Sequence, residues 1–159
     1  MQIFPTGTNK GEGFTLIELI LVIFIIALTT TLVMPSFWNM GDRALKSEAK
    51  RIGNTIRYIH DEAAGKKQTY ILTLDLDKDA WKYESKKESK NFKLKESVMF
   101  RDIMIPSLGK ISFGETKLIF SPTGPEEPIT LHLIKDDKEY TVMFNHLSGR
   151  SKIDEGYLE

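Results

Sequence analysis

The sequence predicts an α+β domain in which one long N-terminal helix packs on an antiparallel β-sheet. Three observations carry this. Residues 14–34 form an almost unbroken apolar run. Beyond Pro35 apolar residues recur at three- and four-residue steps, and from Tyr70 onward short runs alternate between apolar and polar. Helix first and many strands after is the element order of an α+β fold, with the helix laid across the sheet.

The run FTLIELILVIFIIALTTTLVM, Phe14 to Met34, would extend roughly 31 Å as a helix, about the hydrocarbon thickness of a bilayer. No polar residue interrupts Leu19–Leu28, so the helix lacks the polar stripe of a buried core helix and predicts a membrane span. A secretory signal peptide is a poorer fit, because the run is too long and 29–34 offers no small-residue cleavage site. The flanking charges pull the other way. Lys10 faces Glu12 before the run, while Arg43, Lys46, Lys50 and Arg51 follow it, a bias that by itself places the C-terminal part in the cytoplasm.

Glu18 is the exception within the apolar run. A carboxylate at the centre of a span costs ~2.5–3.5 kcal/mol, and less near the interface. It either snorkels to the headgroups or is kept for a specific positive partner. A chain cut just before Phe14 would supply one, a new α-amino group one helical turn away or on a neighbouring subunit.

The amphipathic pattern runs on from residue 36 to 65. Phe37, Leu45, Ala49, Ile52, Ile56, Ile59 and Ala63 fall on one stripe, with Gly65 as the expected C-cap and Lys66 and Lys67 near the negative end. The β-rich part spans 66–159. Tyr70–Leu76 and Trp81–Tyr83 read as a hairpin, and Ser85–Lys95 as a solvated loop or exposed strand. Further strands are predicted near 98–100, 110–113, 117–120, 129–134 and 140–144.

Composition removes whole classes of chemistry. Lysine plus arginine (22) equals aspartate plus glutamate (22), so there is no general attraction to nucleic acid or to anionic lipid and any such binding would be local, and without cysteine there is no thiol catalysis or thiolate metal site. His60 has no H-E-x-x-H spacing, His132 alternates with Leu131 and Leu133 and is predicted to face solvent, and His146 falls in a turn. Asp75, Asp77 and Asp79 have the opening spacing of a calcium loop, but Ala80 and Lys86 stand where its glycine and bidentate glutamate belong. A hairpin turn explains the acids better. No catalytic residue, cofactor or metal is expected.

Gly13-Phe14-Thr15-Leu16-Ile17-Glu18, behind a short polar leader with Lys10, resembles the processing site of type IV prepilins and type II secretion pseudopilins. The resemblance implies that a prepilin peptidase cuts after Gly13 and methylates Phe14, and that Glu18 neutralises the N-terminus of an adjacent subunit. Pro35 matches a proline that kinks such helices. Glu12, beside the scissile glycine, departs from the more basic leaders of that superfamily. The implied layout is a cleaved leader at 1–13, a transmembrane and filament-core helix at 14–35, an amphipathic half at 36–65 and a globular domain at 66–159. The leader would be cytoplasmic and the domain periplasmic, on a single-pass protein of the bacterial inner membrane. Family topology overrides the charge bias.

Phe120-Ser121-Pro122-Thr123-Gly124, the alternating runs 129–134 and 140–144, and Ser148-Gly149-Arg150 are similar to the GspH/FimT group of minor subunits. That narrows the expectation to a minor pseudopilin of a type II secretion system, with other pseudopilins, the peptidase and an inner-membrane assembly platform as partners. The alternative is a FimT-like minor pilin of a type IV pilus or competence system, in which Arg150 and Lys152 would contact DNA. Asp154, Glu155 and Glu159 follow at once and weaken that basic field. A polar turn closing the last hairpin is the plainer reading of the same residues.

Overall fold

A computed structural model describes residues 14–38, 40–95 and 97–158, with the side chains of 31–42 outside that description. The chain divides into two compact units, 1–39 and 40–159. The first holds α1, Leu16–Trp38, whose helical assignment continues through Pro35. The kink expected at Pro35 concerns a side chain outside the described residues. The span expected over 14–35 likewise includes undescribed side chains, and among the described residues no helix is long and apolar enough to cross a membrane.

The second unit begins with α2, Met40–Lys66. Its stripe Leu45, Ala49, Ile52, Ile56, Ile59 and Ala63 is fully buried, as the periodicity requires, whereas Phe37, expected on the same stripe, belongs to α1 and its side chain lies outside the described residues. Gly65 is not the cap. Lys67 takes the left-handed conformation (φ 51°) and the Gln68 N–H donates to Ala63 O at 3.2 Å, so the helix closes two residues later in a Schellman turn without glycine.

Among the described residues nine strands follow, and they form two antiparallel sheets in place of the single expected one. Sheet one joins β1 (Tyr70–Asp75), β2 (Ala80–Glu84), β3 (Ser89–Lys93) and β6 (Glu115–Phe120) in the order β3-β2-β1-β6. Sheet two joins β4 (Met99–Ile105), β5 (Gly109–Ile111), β7 (Ile129–Lys135), β8 (Lys138–Asn145) and β9 (Arg150–Glu155) in the order β5-β4-β7-β8-β9. β3 is the exposed strand foreseen in 85–95. Helix α2 lies chiefly on β8 and β9, reaching β7 and β6. Its stripe meets Leu131, Leu133, Val142 and Phe144 from sheet two and Tyr70, Leu72, Leu74 and Phe120 from sheet one in one core.

The aspartates after β1 shape turns. Asp75 holds the Lys78 backbone N–H (3.1 Å) and ammonium (2.6 Å), Asp77 accepts from the Gly114 N–H, and Asp79 accepts from the Phe100 N–H. Strand β9 replaces the turn expected at Arg150–Lys152. It pairs along the edge of β8 and packs against α2 at Gly53. A Cβ at Gly53 would meet Ile153, Ser151 and Val142 at 3.4 Å, and the Ser151 hydroxyl donates to Gly53 O at 2.8 Å.

Candidate functional site

The start of α1 carries the residues singled out by the sequence. Gly13 and the leader lie outside the described residues. Phe14 is exposed, and Thr15 caps the helix. The Glu18 N–H donates to Thr15 O at 3.0 Å and to its hydroxyl oxygen at 3.3 Å, and the Leu19 N–H donates to Thr15 O at 3.1 Å. Glu18 is therefore the third helical residue of a Thr-x-x-Glu box, a spacing the sequence displays but whose meaning emerges only with the helix boundary. Glu18 stands in the first turn, at the positive end of the helix dipole.

Downstream, apolar side chains are exposed on every face. Leu16, Ile17, Leu19, Ile20, Phe24 and Ile26 are all more than half exposed. Covering the run from Phe14 to Leu28 with an apolar environment would be worth on the order of 10 kcal/mol or more. The two described threonines do not disturb it. Thr29 donates to Ile25 O or Ile26 O, each at 2.9 Å, and Thr30 donates to Ile26 O at 2.6 Å, so their hydroxyls are satisfied within the helix.

Arg150 and Lys152 lie on β9. Lys152 is paired with Asp154 at 2.7 Å, and Arg150 is exposed beside it. The glycine before them has a purely structural reason. Gly149 has φ 64° and faces the His60 ring, which a Cβ would meet at 2.5 Å. The Gly-Arg element thus seats a tight turn against α2.

His132 contradicts the expectation of a solvent-facing side chain: it is fully buried. Alternation does send it to the outer face of sheet two, but the C-terminal segment covers that face. His132 Nδ1 is 2.6 Å from Asp102 Oδ1 and Nε2 is 2.9 Å from Leu158 O, while Tyr157 stacks on the ring at 4.0 Å. The Lys110 ammonium reaches Tyr157 Oη (3.1 Å) and Asp102 Oδ2 (3.2 Å), and those two bonds, Tyr157 first, raise its pKa. A bulge between Phe100 and Asp102 in β4 sets Asp102 opposite His132. Both imidazole nitrogens are engaged with protein oxygens, so the cluster fastens the tail to the sheet. Among the described residues no group of acids and histidines could hold a metal ion.

The arrangement to be matched is a domain with an amphipathic helix over two antiparallel sheets, behind an apolar helix. No protein-family model matches the sequence, and no curated protein does. Among solved structures, the minor pseudopilin EpsH from the Type 2 Secretion System of Vibrio cholerae matches with a TM-score of 0.53. The match covers 70% of this chain and 96% of that one, at 18% identity. The fold is that of a GspH-like minor pseudopilin. At that identity the likeness concerns architecture. In this pseudopilin fold the helix, the sheets and the tail clasp are scaffold, and the exposed apolar helix start is the candidate site.

Proposed function

We propose that the chain is a minor pseudopilin of a type II secretion system, assembled after leader cleavage into a pilus-like filament that drives protein export. The observation that carries the reading is a GspH-like domain following a helix whose apolar residues have no cover on any face. Such a helix needs lipid before assembly and neighbouring subunits after it. In this reading residues 14–35 anchor the subunit in the inner membrane, with the domain on the periplasmic side. Pro35 bends the rod. Other pseudopilins, a prepilin peptidase and an inner-membrane assembly platform are its partners.

Hydrolysis of the Gly13–Phe14 amide frees an α-amine on Phe14, which takes a methyl group from a sulfonium donor, leaving the donor as a thioether, and is protonated again, so that the methylated N-terminus carries a positive charge. Glu18 of one subunit meets that charge on the next. A carboxylate in an apolar filament core is tolerated only when so paired, which penalises wrong register. Glu18→Ala is expected to insert in the membrane normally and to fall at least tenfold in filament incorporation, read by crosslinking and secretion assays. Normal secretion by that variant would defeat the mechanism. Replacing Gly13 by a bulky residue should leave the precursor mass unchanged in the presence of the peptidase.

The type IV pilus or competence reading, with DNA contacts from Arg150 and Lys152, has less support. Lys152 is already paired with Asp154, and Gly149 is explained by its backbone angle and its contact with His60.

A further inference from the structure

The basic flank after the apolar run has no role in the assembly chemistry above, and it opposes the charge rule for topology. Arg43, Lys46 and Lys50 follow one another at i, i+3 and i+7, so they share one exposed face of α2, opposite buried Leu45, Ala49 and Ile52. The β3–β4 connection adds to this corner. The Lys95 ammonium lies 3.2 Å from the Ser47 hydroxyl, and Arg51 donates to Lys93 O at 2.7 Å, which holds Lys93 and Lys95 beside the first turns of the helix. The acid between them, Glu48, is fully buried and engaged by Arg51 at 2.7 Å and Lys95 at 3.8 Å.

Elsewhere many lysines are matched, with Lys67, Lys86 and Lys87 as exceptions at the far end of α2 and in the β2–β3 turn. Lys78, Lys82, Lys90, Lys117 and Lys152 each have a carboxylate partner. Among the described residues Arg43, Lys46, Lys50 and Lys93 have none. By sequence, the segments 42–51 and 93–96 hold six cations (Arg43, Lys46, Lys50, Arg51, Lys93, Lys95) against three acids (Asp42, Glu48, Glu96).

We infer that this corner of the domain, Arg43, Lys46 and Lys50 with Lys93 and Lys95, is a docking surface for the phosphate headgroups of an anionic phospholipid bilayer. The inference rests on the reading of α1 as a membrane anchor. Only eight residues separate Met34 from Arg43, so the chain keeps these cations near the bilayer surface, and tethering replaces a bimolecular encounter by a local one. Attraction to an anionic leaflet adds with each cation and fades over a Debye length, about 10 Å at 0.1 M salt. Before assembly the contact holds the domain against the membrane. Leaving the bilayer for the filament requires these phosphate contacts to be given up.

The test uses the full chain in lipid nanodiscs, with amide hydrogen exchange read on peptides covering 43–51 and 89–95. Discs with about a third of their lipid as phosphatidylglycerol should slow exchange there about threefold or more relative to pure phosphatidylcholine discs. About 0.5 M salt, where the Debye length is under ~5 Å, should abolish the difference. The combined variant Lys46→Gln, Lys50→Gln, Lys93→Gln should lose the protection. Lys67→Gln, Lys86→Gln, Lys87→Gln, which removes the same charge elsewhere on the domain, should keep it. Equal exchange in both disc types, equal responses of the two variants, or protection produced by duplex DNA on phosphatidylcholine discs would each overturn the assignment. Failure to enter discs of either lipid would instead bring down the membrane reading beneath it.

Discussion

Helices α1 and α2 are close in length and lie next to each other in sequence, yet they solve opposite problems. Helix α2 has one apolar stripe and finds cover for it inside its own domain. Helix α1 is apolar all round and finds none within the described residues. Stability of the domain is thus written in α2 and the sheets, whereas α1 contributes only when something outside the chain surrounds it. A helix that its own fold leaves uncovered is evidence about environment.

That contrast can be broken by matched truncations. Phe144, fully buried against Phe120 and the His60 ring, should cost about 3–5 kcal/mol of domain stability when changed to Ala. Ile23→Ala, on the exposed α1, should leave denaturant unfolding of the domain unchanged within about 0.5 kcal/mol. Equal losses would mean that α1 is part of the domain core. A smaller effect is expected at the tail clasp. Asp102→Ala strands His132 and Lys110 without their carboxylate and should destabilise by about 3 kcal/mol, with faster amide exchange at 156–158. Smallest is the acid response of the β1–β2 turn. The Lys78 ammonium, bonded to Asp75, lowers that carboxyl below its ordinary range, and the Tyr83 hydroxyl does the same for Glu88. A depressed folded-state pKa contributes stability above the unfolded value and loses it as pH falls through the folded one. The domain should therefore weaken as pH drops below about 4, and Lys78→Ala should flatten part of that slope in a pH series of melting curves.

Much of this was legible in the residues because the signals were strong and local. Leu19–Leu28 could belong only to an apolar helix, and the stripe from Leu45 to Ala63 gave the buried face residue by residue. Six of the nine strands among the described residues had at least a partial apolar alternation, and β3 and β5 offer a single apolar residue each. Strand β9 did not alternate either: Arg150-Ser-Lys-Ile-Asp-Glu offers one apolar residue, and it pairs because β8 presents an edge and the Ser151 hydroxyl bonds Gly53 O on α2. The division into two sheets is also invisible to periodicity, which reports faces and not neighbours. His132 shows the same limit. Alternation assigned its face correctly, but Tyr157 and Leu158, 25 residues further on, decide what covers it. At the candidate site the Thr15 cap was readable as a spacing, while its bearing on Glu18 required the helix to begin at Leu16.

The seating of α2 on β8 and β9 has a consequence for timing. The first element of the domain to be made is completed by the last two strands, so its core face stays open through most of synthesis. Sheet one can close early, because β1, β2 and β3 are neighbours in sequence. Sheet two and the helix cannot, since roughly a hundred residues separate Gly53 from its contact with Ser151. An emerging chain therefore carries an unfinished amphipathic helix behind its apolar one. Premature association through that helix is the folding hazard built into this order of elements.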